Sequence, residues 1–248
     1  MAKNRFKTAF ILGAGLGKRL RPLTEYVPKP LLPLNGRPIV TYAMDHLLSI
    51  GIERFIVNTH HQPEKYSEAF PDRRWRGVPI EFRYEPTLLD TGGGLKNIED
   101  LLTGDKAIVC YNGDILCNMP LDVLIRSHEA MPCEATLALR TKGPNLNVNI
   151  DGSGAICDMR HMLKKPGMAS CLFTGIYTIE TSVLATIEQH KIESIVDIFL
   201  RRIVANPGSI RGITIDSGGW DDIGSIEVYE RLTEQMSTTI KRGYLHEP

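Results

Sequence analysis

Apolar and polar positions fall into blocks whose period changes regularly along the chain. An unbroken apolar run, Ala9-Phe10-Ile11-Leu12, gives way to a glycine-rich segment, and apolar residues then recur at 39, 40, 43, 44, 47 and 48 between Pro38 and Gly51. The run predicts a buried strand, and the three-to-four spacing predicts a helix opened by proline and stopped by glycine. Residues 54–58 read as the next strand, 63–70 as a short helix and 80–84 as a strand of period two. Further on come a strand from Lys106 that ends in Asn112-Gly113-Asp114, a helix over 121–131 and a strand over 135–140. Residues 147–157 alternate about Asp151-Gly152, which predicts a hairpin. A strand over 171–178, helices from Glu180 to near His190 and over 194–205, and an amphipathic helix over 226–236 complete the pattern.

Strands alternating with helices predict an α/β architecture, a Rossmann-like mixed, mainly parallel sheet flanked by helices. One domain is expected over 1–240, with 241–248 as a loosely packed surface tail. Ligands of such sheets bind beyond the carboxyl ends of strands, so the strand ends are where chemistry is sought.

Composition narrows the classes. The 248 residues carry 29 Lys plus Arg and 29 Asp plus Glu, so no global field recruits nucleic acid or an anionic membrane. The five cysteines are odd in number and form no Cys-x-x-Cys pair, against a disulfide framework or a zinc site. No apolar leader opens the chain and no apolar run is long enough to span a bilayer, so a cytoplasmic location is expected. His60-His61 reads as a polar strand end, and Arg73, Arg74 and Arg76 as a solvated loop.

Four strand ends carry candidate chemistry. The first strand runs into Gly13-Ala14-Gly15-Leu16-Gly17-Lys18-Arg19-Leu20-Arg21-Pro22, with Pro28-Lys29-Pro30 after it, glycines and cations that together suit phosphates. A dinucleotide fingerprint fails, because the third glycine position holds Lys18 or Leu20, and a P-loop fails at Leu12 and Arg19. The second is Glu85-Pro86-Thr87-Leu88-Leu89-Asp90-Thr91-Gly92-Gly93-Gly94, where Thr91 is a candidate helix cap and the glycines leave bare backbone for a flat base. The third is Asn112-Gly113-Asp114, whose carboxylate is placed to meet a Mg2+ bridging phosphate oxygens. The fourth is Trp220-Asp221-Asp222-Ile223-Gly224, by itself an ordinary helix start.

The stretch L-G-A-G-L-G-K-R-L-R-P-L-T…P-K-P-L resembles the signature of the sugar-1-phosphate nucleotidyltransferases, which join a nucleoside triphosphate to a sugar 1-phosphate and release pyrophosphate. The resemblance continues through T-G-G, N-G-D and W-x-D-I-G and implies the nucleotide-diphospho-sugar transferase fold. It implies catalytic roles for Arg19, Lys29 and Asp114, with Mg2+ held by Asp114 and Asp222. It implies nucleotide contacts at Leu12, Gly13, Ala14, Gly15, Gly17, Glu85, Thr91, Gly92 and Asn112, and sugar-phosphate contacts at Asn147, Thr174 and Gly175. Glu85 would read the base edge; a carboxylate accepts hydrogen bonds, which suits UTP or GTP and is less natural for CTP.

Where many members carry Glu-Lys-Pro this chain has Lys164-Lys165-Pro166. In this it is similar to the stand-alone N-acetylmuramate-1-phosphate uridylyltransferases, which place an aspartate where Asn147 stands, and in overall pattern it also resembles mannose-1-phosphate guanylyltransferase-like members. No hexapeptide repeat follows the last helix. An inactive regulatory relative that only binds a sugar nucleotide is the alternative, but Arg19, Lys29, Asp114 and Asp222 are all kept. The expected partners are a nucleoside triphosphate and a sugar 1-phosphate, with no nucleic acid and no membrane, in a monomer or homodimer.

Overall fold

The computed structural model describes residues 5–244, with side chains to residue 237. The strands are β1 (Thr8–Leu12), β2 (Pro33–Leu34), β3 (Arg37–Pro38), β4 (Arg54–Thr59), β5 (Arg74–Trp75), β6 (Val78–Tyr84), β7 (Ala107–Asn112), β8 (Ile115–Cys117), β9 (Ala135–Arg140), β10 (Val148–Ile150), β11 (Ile156–Met159), β12 (Ala169–Glu180), β13 (Ile210–Thr214) and β14 (Trp220–Asp222). The helices are α1 (Val40–Leu48), α2 (Glu64–Ala69), α3 (Asp90–Lys96), α4 (Leu121–Ala130), α5 (Ile195–Ala205) and α6 (Ile226–Tyr244).

The central sheet runs β13-β9-β12-β7-β1-β4-β6. All its strands are parallel except β12, which lies antiparallel between β7 and β9 and at its start carries the β10–β11 hairpin. The mixed, mainly parallel architecture expected from the alternating pattern is therefore present. After β1 the chain builds outward to β4 and β6, then returns to place β7 on the other side of β1. The order reverses at β1 and β7, where such sheets open a crevice beyond their carboxyl ends.

Burial on both faces explains the unbroken apolar runs of the central strands. Phe10 packs into one core with α3 and α5, whereas its neighbour Ile11 packs into the other with α1, α2 and α4. A third, smaller cluster joins Leu20, Leu32, Leu34, Ile39 and Ile223 to Leu232 of α6. It fastens the segment that leaves β1 to the C-terminal helix.

Three local expectations change. The helix expected from Glu180 to His190 is one stretch of 3-10 helix, Thr181–Thr186, in which the Thr181 and Thr186 hydroxyls donate to backbone carbonyls. The hairpin turn is wider than a two-residue Asp-Gly loop: Asp151 Oδ1 accepts from Ser153 N, Ser153 Oγ and Ala155 N, and Gly154 takes the positive φ. Finally, α6 continues past residue 236 to Tyr244, into the segment expected to be a tail. The rest of that tail, 245–248, and residues 1–4, where a leader would begin, lie outside the described residues. Among the described residues no helix is long and apolar enough to cross a membrane.

Candidate active site

The crevice starts at the head of the glycine loop. Leu12 O accepts from Gly113 N at 3.0 Å, which joins the ends of β1 and β7. Gly13 is held on both sides: its N–H donates to Asn58 Oδ1 at 2.8 Å and its carbonyl accepts from Tyr66 Oη at 2.9 Å. A Cβ at Gly13 would lie 2.7 Å from the Asn58 carbonyl, so only glycine fits. Gly15 has open space instead, with nothing within 4 Å of a Cβ there. Gly17 adopts φ +61° and leads into the 3-10 turn Lys18–Leu20. That turn buries Leu20 in the third cluster and leaves Arg19 exposed. The Arg19 guanidinium sits beside Gly224 and Asp222: a Cβ on Gly224 would be 3.1 Å from Arg19 Nη1 and 3.4 Å from Asp222 Oδ1.

Lys29, between two prolines, opens the 3-10 turn Lys29–Leu31 and is only 7% exposed. Its Nζ donates to Asp114 Oδ2 at 2.5 Å and lies 3.9 Å from Asp222 Oδ1. One strap brings the two aspartates together. After Asp114 the chain forms β8, which pairs antiparallel with β14 so that Ile115 faces Asp222, and Ile223 N donates to Asp114 O at 3.1 Å. Desolvation and the like charge of Asp114 push the Asp222 carboxyl above the usual range, against the pull of Lys29 and Arg19. The chain thus holds two carboxylates and two cations around one point.

The base-side segment differs from expectation. Glu85 is fully buried; its Oε1 accepts from Asn58 Nδ2 at 2.7 Å and its Oε2 from Leu89 N at 3.1 Å. Burial raises its pKa, and those two hydrogen bonds oppose the shift. Glu85 thus braces two loops, with one hydrogen bond accepted by each carboxylate oxygen. The glycines are not bare platforms either. A Cβ on Gly92 would meet Ile198 Cδ1 at 2.4 Å, one on Gly93 the Lys191 carbonyl at 2.2 Å, and one on Gly94 Glu85 Oε1 at 2.8 Å. Protein fills the room they leave. Thr91 caps a different helix from the one expected: α3 begins at Asp90, and Thr91 Oγ1 accepts from Ile195 N, at the start of α5, at 2.8 Å.

On the sugar side, Thr174 is buried, its hydroxyl donating to Ala138 O at 2.8 Å, so its side chain is not free for a sugar. Gly175 has φ +79°, and a Cβ there would lie 2.5 Å from Asn112 Nδ2; the strand irregularity makes room for the Asn112 amide. Trp220 Nε1 donates to Thr174 O at 2.9 Å and so fixes the strap against β12. Asn147 is half-buried and faces the cleft.

Two cavities result. One of about 470 Å³ is lined by Gly13, Ala14, Gly15, Lys29, Glu85, Leu88, Asp114 and Ile192. The other, of about 900 Å³, is lined by Arg19, Asn147, Gly175, Trp220 and Asp222, with Arg140, Lys142 and Arg160 adding positive charge. They share Leu12, Asp90, Thr91 and Asn112. Sequence reasoning missed Asn58, Tyr66, Leu88, Ile192 and the basic trio. Arg140, which closes β9, was the readable one, since it stands at a carboxyl strand end.

The nucleotidyl transferase family model matches residues 8–239. A mannose-1-phosphate guanylyltransferase of Mycobacterium tuberculosis is 31% identical over 227 residues, covering 90% of this chain and 62% of its own length. A UTP–glucose-1-phosphate uridylyltransferase of Synechocystis is 27% identical, covering 94% of this chain and 64% of its own. The chain thus spans somewhat under two thirds of these relatives. In fold it resembles a putative glucose-1-phosphate thymidylyltransferase from Bacillus anthracis, with TM-score 0.78 and 21% identity over 92% of this chain and 94% of that one. HddC from Yersinia pseudotuberculosis, solved with GMP-PN, gives TM-score 0.75 and 20% identity over 93% of this chain and 100% of that one. On the match across 8–239, the chain belongs to the nucleotidyl transferase family.

Proposed function

We propose that this chain couples a nucleoside triphosphate to a sugar 1-phosphate, forming an NDP-sugar and pyrophosphate. The observation that carries the reading is the Lys29 ammonium reaching both Asp114 and Asp222 beside Arg19, at the carboxyl ends of β1 and β7. The relatives' names, guanylyl- and uridylyltransferases acting on hexose 1-phosphates, support the same class and favour GTP or UTP.

In this reading an oxygen of the sugar 1-phosphate attacks the α-phosphorus in line. The bond from that phosphorus to the oxygen bridging to the β-phosphate breaks, and its electron pair leaves with pyrophosphate. The attacking oxygen is already anionic, so no general base is needed. The barrier lies in bringing two polyanions together and in the charge of the transition state. Lys29 meets that charge from a buried, preorganised position, and Arg19 from the open rim. The glycine loop offers backbone N–H groups to the phosphates, Asn112 lies between the two substrates, and Gly175 and Asn147 line the sugar side.

A divalent cation fits the donor set. Mg2+ takes one or two carboxylates and fills the rest of its shell with phosphate oxygens and water. Asp114 and Asp222 supply two such carboxylates, and among the described residues no third His, Cys, Asp or Glu groups with them. Bound there, Mg2+ would neutralise phosphate charge.

The test is pyrophosphate release from each of the four NTPs with Mg2+ against a panel of sugar 1-phosphates. Release that requires one NTP and one sugar phosphate together establishes the reading. No release from any pair, in a protein whose melting temperature still rises with a sugar nucleotide, would replace it with binding without turnover.

A further inference from the structure

Asn58 ends the apolar core of β4, is 2% exposed, and belongs to no motif of the site. Its amide nevertheless touches both walls of the smaller cavity. Oδ1 accepts from Gly13 N at 2.8 Å, and Nδ2 donates to Glu85 Oε1 at 2.7 Å. Glu85 Oε2 then accepts from Leu89 N at 3.1 Å, just before α3. The partners fix which way the amide points, since only its oxygen can face an N–H and only its nitrogen a carboxylate. A continuous buried chain of hydrogen bonds therefore runs from the phosphate loop through Asn58 and Glu85 to the base-side loop.

Glu85 is fully buried, its backbone N–H is taken by Thr59 O and its carbonyl by His60 Nδ1–H. Gly94 has no side chain because one would strike both Glu85 Oε1 and Asn58 Nδ2, at 2.8 and 2.9 Å. Tyr66 closes the other side of Gly13. A buried amide and carboxylate that satisfy each other are worth most as a pair, and losing either leaves the other unpaired.

We infer that Asn58 is a positioning residue for the nucleotide: through its hydrogen bonds to Gly13 and Glu85 it sets the spacing between the phosphate loop and the base-side loop. This rests on the proposed function only in taking the smaller cavity as the nucleotide site.

Asn58→Asp keeps the shape but sets a carboxylate against Glu85, so the link re-forms only when the two share a proton. Asn58→Leu removes it at every pH. For Asn58→Asp the NTP KM is expected to be about ten-fold or more above wild type at pH 8, the worth of one buried hydrogen bond, and to fall back towards it near pH 6. Wild type, which carries the same neighbouring His60, Asp90 and Tyr66, is measured beside it at both pH values. The sugar 1-phosphate KM is expected to stay within about two-fold. An NTP KM near wild type in both Asn58 variants, or a shift in Asn58→Asp that does not depend on pH, would overturn the inference. If wild type released no pyrophosphate with any pair, the catalytic reading would fall. The link would still be tested by the melting-temperature rise that Mg2+ and NTP give, expected smaller in Asn58→Asp than in wild type at pH 8 and equal at pH 6.

Discussion

The proposed phosphate end and the proposed base end of the cleft are built from the same kinds of residue, glycines beside charged side chains, and use them in opposite ways. At the phosphate end Gly15 faces open space, Arg19 is exposed, and Asp222 keeps a half-exposed carboxylate beside Lys29. At the base end Gly92, Gly93 and Gly94 are packed against Ile198, the Lys191 carbonyl and Glu85, and each oxygen of Glu85 accepts a hydrogen bond from the protein. A glycine leaves a space and a carboxylate leaves lone pairs; whether a ligand can use them depends on what the rest of the chain has already put there. Chemistry belongs where they stay open, and rigidity where they are filled.

The largest effect should come from removing a charge at the open end. Lys29→Ala is expected to lower the rate of pyrophosphate release by about 10²–10³-fold, as losing one preorganised electrostatic contact does elsewhere, and Asp114→Asn by a similar factor. Steady-state kinetics on the matched substrate pair decide this. Near-normal rates in both would erase the contrast between the ends. Arg19→Ala is expected to cost about 100-fold in the same assay while leaving stability within about 0.5 kcal/mol, because Arg19 is exposed and makes no salt bridge among the described residues.

A paired glycine substitution sharpens the contrast in stability alone. Gly92→Ala pushes a methyl into Ile198 and the Glu193 carbonyl and is expected to cost about 1–3 kcal/mol, whereas Gly15→Ala meets nothing and should leave thermal unfolding unchanged. Equal melting temperatures for the two variants would contradict the packing described for the base end.

The smallest expected effect is a matter of sign. Because the folded state raises the Asp222 pKa, its ionised carboxylate is disfavoured by folding at neutral pH. As pH falls through the raised value the folded protein takes up the proton first and that cost disappears. Asp222→Asn is therefore expected to raise the melting temperature of the ligand-free protein at pH 7.5, with the gain fading towards pH 4, while it weakens turnover. A lower melting temperature at neutral pH would mean that Lys29 and Arg19 outweigh the repulsion from Asp114.

Much of the open end was legible in the sequence, because its parts are local. The glycine loop follows β1 directly, Asp114 follows β7, and strand ends are where parallel sheets bind ligands. The pairing of β8 with β14, which brings Asp222 to Asp114, joins segments more than 100 residues apart and could be inferred only through the family pattern. The filled end was misread for the same reason. Thr91 and the three glycines look like a cap and a platform when read with their neighbours, but their partners are Ile195, Ile198, Lys191 and Glu193. Asn58 carried a faint signal, one polar amide at the end of an otherwise apolar strand. Its meaning appears only when the strand order sets β4 between β1 and β6.

Which oxygen forms the new bond to the α-phosphorus is read from sugar 1-phosphate labelled with ¹⁸O on its phosphate oxygens and followed by mass spectrometry. With a sugar phosphate oxygen as the attacking atom and the β,γ unit of the triphosphate leaving, all of the label is expected in the NDP-sugar and none in pyrophosphate. Label in pyrophosphate, or an NDP-sugar that has lost it, would overturn that assignment of the bond made.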